Sequence, residues 1–241
     1  KNQEPGEEEC RGIPEKTAEH MDILLVAFPS KIVDSYYSVY SSAGIMPLAF
    51  ETEMHALTRA AVHKEKMQSY LIVDFGRTRT SFIIVSGNRI KFASTIATSG
   101  QDLNKAISRT FSVSLFEAEK IKKDEANLAN PEANRKLFEA ILPIMSAIRD
   151  EISNHTTYWS SHSSHLHMGE SRSIKKILLC GGDSNLNGFT EYISNSISLP
   201  TEYINVWSNI SSFEDYIPEI PFRESLSYAP AIGLALRAIN Q

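Results

Sequence analysis

Cysteine is nearly missing from this 241-residue sequence: Cys10 sits in a polar N-terminal stretch and Cys180 inside the apolar run 177–180. Two thiols so placed give no disulfide framework and fit a reducing compartment with one buried thiol. Long hydrophobic runs are missing too, since none approaches the roughly 20 residues of a membrane-spanning helix. The first residues are acidic, unlike the basic start of a secretory signal. The expectation is a cytoplasmic protein that meets a membrane only through a partner. A cationic excess is also lacking. Lys and Arg number 24 against 29 Asp and Glu, a formal net charge of -5, so no basic field is available to hold a nucleic-acid backbone. Apolar material, by contrast, makes up 42% of the residues and charged material 22%, enough for one large core or two smaller ones.

Periodicity divides the chain into alternating elements. Residues 1–20, dense in Glu, Gly and Pro, read as a linker. Residues 23–28 are a continuous apolar run closed by Pro29 and Ser30, which predicts a buried strand. A helix carrying Ile32, Val33, Tyr36, Val39 and Tyr40 follows and stops at Gly44. Residues 45–50 predict another strand and 51–64 another helix. Three strands, 70–75, 80–85 and 89–96, are separated by turns and predict a meander. One helix is predicted from Asp102 and a second from Ser114, where Ser114 and Glu117 make a capping box. Pro131 opens a long helix with Leu137, Ile141, Ile144, Ile148 and Ile152 on one face, bent at Pro143. Residues 155–173, rich in Ser and His, predict an exposed loop. Then come a strand at 177–180, a helix with Leu186, Phe189, Ile193 and Ile197 on one side, a strand at 201–206 and a final helix through Leu226, Ala229, Ile232, Leu236 and Ile239.

Two segments have the composition of a ligand site. Asp74-Phe-Gly-Arg-Thr-Arg-Thr80 is a D-x-G-x-x-x-T turn between apolar strands. A hairpin of this kind can aim backbone N–H groups at a phosphate where Gly76 lets the chain approach, and Asp74 can hold Mg²⁺ through water. Asp and Gly are equally ordinary turn residues. Leu179-Cys-Gly-Gly-Asp183 places two glycines between a strand and a helix, which either leaves room for a base or ribose against the backbone or makes a tight turn.

The order of these segments, with Ser99-Gly-Gln-Asp-Leu103, Glu117-Ala-Glu-Lys-Ile-Lys122 and Tyr228-Ala-Pro-Ala-Ile-Gly-Leu-Ala-Leu236 between and after them, resembles the PilM family of type IV pilus assembly proteins, relatives of FtsA. Residues 22–29 and 44–53 are similar to the family's region before the hairpin. The resemblance implies an α/β, actin-like (ribonuclease H-like) ATPase-type two-domain fold of mixed sheets flanked by helices. On it, residues 21–67 would be a remnant of the first domain with the second half of its small inserted subdomain. Residues 68–241 would be the second domain, its final helix, about 225–240, returning to the domain interface. It further implies ATP and Mg as cofactors, with Asp74, Gly76 and Thr80 at the phosphates, Asp74 holding Mg through water, Gly181 and Gly182 at the adenosine, and Thr78 and Gly100 also among the cofactor-binding residues. Glu119 and Lys122 match the family's A-E-x-x-K segment beside ribose and base, or else lie on a solvated helix face.

The implied function is a cytoplasmic adaptor, peripheral to the inner membrane, that takes the N-terminal peptide of a PilN-like membrane protein. Tyr37 is the candidate peptide contact, while Val33, Tyr36 and Tyr40 share the Ile32 stripe and are expected to pack on the subdomain's own sheet. Family members normally begin with another phosphate hairpin, which this chain lacks, so the expected fold is N-terminally truncated. Arg77 and Arg79 stand where the family has small residues and would either pair with phosphates or crowd them. An FtsA-like cell-division protein ends in an amphipathic membrane helix, which is not seen here. A metabolic kinase on the same fold needs a carboxylate base that no motif supplies. His155, His162, His165 and His167 are irregularly spaced without a Cys or carboxylate cluster, and read as solvent-exposed rather than metal ligands. Trp159 and Trp207 read as core or rim aromatics.

Overall fold

Strands that are apolar on consecutive residues need cover on both faces, and the segments from Tyr70 onward find it. The computed structural model describes residues 23–63, 68–162, 173–210, 214 and 216–239. Strands β1 (Tyr70–Phe75), β2 (Thr80–Ser86), β3 (Arg89–Ile96), β4 (Lys176–Cys180) and β5 (Thr201–Tyr203) form one sheet in the order β3-β2-β1-β4-β5. The first three are the expected antiparallel meander, while β4 lies parallel to β1 and β5 parallel to β4. β5 ends at Tyr203, short of the expected 206, yet Ile204 and Val206 remain buried.

Helices α1 (Ser30–Ser42), α2 (Glu53–Ala61), α3 (Gly100–Phe111), α4 (Leu115–Glu125), α5 (Arg135–His162), α6 (Phe189–Ile197), α7 (Phe222–Ser225) and α8 (Ala229–Ile239) complete the elements. Side chains alternate across the sheet with the strand period of two. Leu71, Val73 and Phe75 of β1 join Leu103 and Ile107 of α3, Ile141, Ile148 and Ile152 of α5, and Phe189 of α6. Tyr70 and Ile72 point the other way, into a second core with Leu57 of α2, Leu226 of the turn before α8, and Ala229 of α8. The capping box forms as read: Ser114 Oγ accepts from the Glu117 amide at 3.2 Å and the Ser114 amide donates to Glu117 at 3.0 Å.

Two expectations fail for identifiable reasons. The Ser- and His-rich stretch is not a loop from residue 155. α5 runs on to His162, because His155 and Trp159 extend the stripe of Ile148 and Ile152 and both are buried. Hydroxyl-rich composition masked that period. His155 is therefore not solvent-exposed: its Nε2 lies 2.9 Å from Ser94 Oγ and its ring 4.9 Å from that of Phe82 and 5.2 Å from that of Phe92. Burial holds its imidazole below the usual range. His165 and His167 lie outside the described residues, as does the expected linker at 1–20.

The second failure is at residues 23–28 and 45–50, which form no strand. A lone apolar run becomes a strand only when a neighbour takes its N–H and C=O groups, and no such neighbour occurs among the described residues of that unit. Leu25 is 86% and Leu48 97% exposed. The chain divides into two compact units, Lys1–Phe50 and Glu51–Gln241. In the first, α1 ends where expected, with Gly44 at φ 73. No residue of α1 is buried, so Tyr36 and Tyr40 are as open as Tyr37 instead of packed on a sheet.

In the second unit α2 packs closely against α8. A Cβ at Gly233 would stand 1.8 Å from the Ala56 carbonyl oxygen. Arg59 donates to the Gly233 carbonyl at 2.6 Å and, through both terminal nitrogens, to Glu51 at 2.8 Å. Arg237 adds a further bond to Glu51 at 2.8 Å. The Arg59 hydrogen bond is the main reason the Glu51 carboxyl sits below its usual range. Among the described residues no helix is long and apolar enough to cross a membrane. Gly233→Ala should force α2 from α8 and lower the urea midpoint by the equivalent of about 2 kcal/mol, at unchanged denaturant slope; an unshifted midpoint would show that the contact relaxes freely.

Candidate functional site

β1 and β4 are parallel neighbours, so their carboxyl ends open on the same edge of the sheet, where α/β folds place ligands. In register, Asp74 lies opposite Cys180 on one side and Ser81 on the other. The turn at 76–79 is closed by the Gly76 amide donating to the Arg79 carbonyl at 3.0 Å, and its tip residues Arg77 and Thr78 are exposed. The start of α3 is sewn to this turn. The Gly100 amide donates to the Gly76 carbonyl and the Gln101 amide to the Arg77 carbonyl, each at 3.0 Å.

Where β4 leaves the sheet, Gly181 takes φ +86, and a Cβ there would come within 2.5 Å of Asp74 Oδ1 and the Phe75 carbonyl. Only glycine adopts that conformation and passes that close. The Cβ position of Gly182 faces Ser227 Oγ at 2.9 Å. The glycines thus serve the fold first, by letting β4 turn directly beside Asp74. The next residue, Asp183, lays its carboxylate on Gly100, where a Cβ would be 2.0 Å from Asp183 Cγ. It also forms an ion pair with Lys122 of α4, with both side chains almost fully buried.

Asp74, Gly76, Gly100, Lys122, Gly181 and Gly182, far apart in the chain, therefore form one contiguous set. Asp183 joins its parts, although it stood in the sequence only as the last residue of a motif. Sequence marks Lys122 through its match to the A-E-x-x-K segment; its burial and its partner come from packing on Asp183.

The other sequence-singled residues fall around this set. Thr78 is at the exposed tip. Thr80 is buried, and its hydroxyl donates to the Thr98 carbonyl at 2.6 Å. Glu119, one turn before Lys122, pairs with Lys123 at 2.9 Å; that hydrogen bond is the main cause of its lowered carboxyl pKa, to which Lys122 and Arg77 add by charge alone. Arg79 reaches away from the turn to pair with Glu53 at the start of α2. Tyr37 belongs to the first unit and is 50% exposed.

The electrostatics centre on Asp74. Burial, reinforced by the Glu53 charge and opposed by Arg79, pushes its carboxyl up to about 6. Among the described residues no donor hydrogen-bonds to it. The thiol of Cys180 beside it is pushed up in turn, chiefly by burial and then by Asp74. A half-buried carboxylate without a hydrogen-bond donor among the described residues is suited to a cation. No three His, Cys or acidic side chains gather into a metal cage among the described residues, so a cation at Asp74 would keep most of its water, as Mg²⁺ does. These residues fit a hydrated divalent cation such as Mg²⁺ held at Asp74.

Residues 9–239 match the family described as type IV pilus assembly protein PilM. Among solved structures, the chain is similar to one titled as the PilM-PilN type IV pilus biogenesis complex, at 22% identity and a TM-score of 0.69, covering 87% of this chain and 58% of that one. It is also similar to MreB5 of Spiroplasma citri bound to ADP, at 16% identity and a TM-score of 0.60, covering 88% of this chain and 66% of that one. A third is the ethanolamine utilization protein EutJ from Carboxydothermus hydrogenoformans, at 18% and 0.58, covering 84% of this chain and 60% of that one. The chain spans less than two thirds of the length of each, and what they share with it is the actin-like α/β fold.

Asp74→Asn should stabilise the ligand-free protein. The folded state holds the carboxyl at about 6 against an ordinary 3.8, so it binds the proton more tightly than the unfolded chain does. That contribution is complete below about pH 4 and is lost as pH rises through 6. The variant should therefore gain about 1–2 kcal/mol over the parent at pH 7, and nothing at pH 3.5, by chemical denaturation. A pH-independent difference would rule out the buried-carboxylate account.

Proposed function

The chain belongs to the PilM family of type IV pilus assembly proteins, and from that membership we propose that it acts as a cytoplasmic ATP-binding adaptor of the pilus inner-membrane platform. The observation that carries the nucleotide part is the contact of Asp74 with the Gly181 turn. It brings a carboxylate with no donor among the described residues and two glycine-containing turns to one edge of the sheet. The proposed arrangement puts the phosphates over the hairpin at Gly76, Thr78 and Thr80, and the nucleoside towards Gly100, Gly181 and Gly182, with Glu119 and Lys122 beside the ribose. Thr80 contributes through its backbone, since its hydroxyl is committed to Thr98. Asp74 holds hydrated Mg²⁺, which when bound neutralises charge on the phosphates. Nucleotide in this reading is a conformational effector rather than a substrate in rapid turnover.

Support comes from MreB5, a fold relative whose structure holds ADP, and from the PilM relative described in complex with PilN. For the partner, we propose the N-terminal peptide of a PilN-like membrane protein, bound by the first unit. α1 leaves Tyr37 and its aromatic neighbours open there, and such side chains make anchoring contacts for short peptides.

Isothermal titration should detect saturable, Mg²⁺-dependent binding of ATP, weakened about tenfold or more by Lys122→Ala in a protein that still melts cooperatively. Fluorescence anisotropy with the partner peptide should give roughly micromolar binding, weakened by Tyr37→Ala at unchanged stability. Absence of ATP binding would sink the nucleotide role, and absence of binding to any PilN-like peptide the adaptor role.

A further inference from the structure

We propose that Arg79 is the side chain of the hairpin that contacts phosphate, and that Glu53 competes with phosphate for it, so that nucleotide occupancy is read at the first turn of α2. The inference rests on the nucleotide site proposed above and adds a regulatory contact to it. Arg79 is the last residue of the turn, its carbonyl accepting from Gly76 and the next residue beginning β2. Its guanidinium is paired with Glu53, the first residue of α2. Asp74 lies within reach of both charges, since Glu53 raises and Arg79 lowers its pKa. Three charges thus share the mouth of the hairpin, and a phosphate there would enter among them.

The relative strength of the two ion pairs decides which one exchanges. The side chains of Lys122 and Asp183 are 5% and 13% exposed, and separating a buried pair strands a charge in the interior. Those of Arg79 and Glu53 are 58% and 43% exposed; such a pair is held weakly. A phosphate brings more charge than a carboxylate and matches the guanidinium fork in two hydrogen bonds. Phosphate therefore outcompetes Glu53 for Arg79, while Lys122 stays with Asp183.

The position of Glu53 gives the exchange a reader. Two residues before it, Glu51 begins the second unit and is clasped by Arg59 and Arg237. Further along α2, Ala56 is locked on Gly233. Glu53 is the acid in the first turn of α2, and its bond to Arg79 ties that turn to the hairpin. Losing Arg79 to phosphate unties the first turn of α2 from the hairpin, so an event at the hairpin is felt at the start of α2.

A double-mutant cycle on the full chain tests this, with ADP plus Mg²⁺ and with adenosine as probes in isothermal titration. Arg79→Gln should weaken ADP about tenfold. Glu53→Gln should tighten ADP about threefold where Arg79 is present and leave it unchanged in the Arg79→Gln background. Adenosine, which has no phosphate, should bind all four proteins alike. An equal gain from Glu53→Gln in both backgrounds would reduce Glu53 to simple repulsion and overturn the inference, as would undiminished ADP binding by Arg79→Gln. In either case ADP binding by the parent protein leaves the nucleotide reading standing, whereas failure of the parent to bind ADP removes both.

Discussion

Strand β1 is the constraint on which the rest of the second unit depends. It is covered on both faces and paired on both edges, antiparallel to β2 and parallel to β4. Its side chains supply Leu71, Val73 and Phe75 to one core and Tyr70 and Ile72 to the other. A strand so enclosed cannot slip by one residue without exchanging the two sets. That register places Asp74 at the carboxyl end, beside the exit of β4. The Gly181 turn, the depressed acidity of Asp74 and the close approach of Asp183 to Gly100 all follow from it.

The charges around that end divide by depth. Lys122 and Asp183 are buried together and tie α4 and the turn after β4 to the start of α3, a structural bond that would be costly to open. Glu53 and Arg79 are open to solvent and cheap to exchange. Asp74 lies between the two regimes: it is half-buried, has no donor among the described residues, and keeps its proton to about pH 6.

The first unit lacks such a constraint. α1 forms because local spacing and the Gly44 stop suffice for a helix. Residues 23–28 and 45–50 are as apolar as β1, and still form no strand, since a strand draws its stability from a neighbour. Their exposure, like that of Tyr36 and Tyr40, is the chief departure of this unit from what its pattern implied.

Local signals in the sequence were sufficient to locate most of the second unit. The meander, the Ser114 capping box, the long helix after Pro131 and the two turns of the candidate site all have short-range causes: period, cap and glycine. The order of those turns also sufficed to show resemblance to the PilM family, to which the chain belongs. What the sequence could not determine was anything set by long-range packing. The burial of Lys122 against Asp183, the burial of His155 within a hydroxyl-rich stretch and the pairing of Arg79 with Glu53 each join residues distant in the chain. A side chain's solvation and its charge partner are properties of what folds against it, and that is decided only when β1 brings β4, α3 and α4 to the same edge of the sheet.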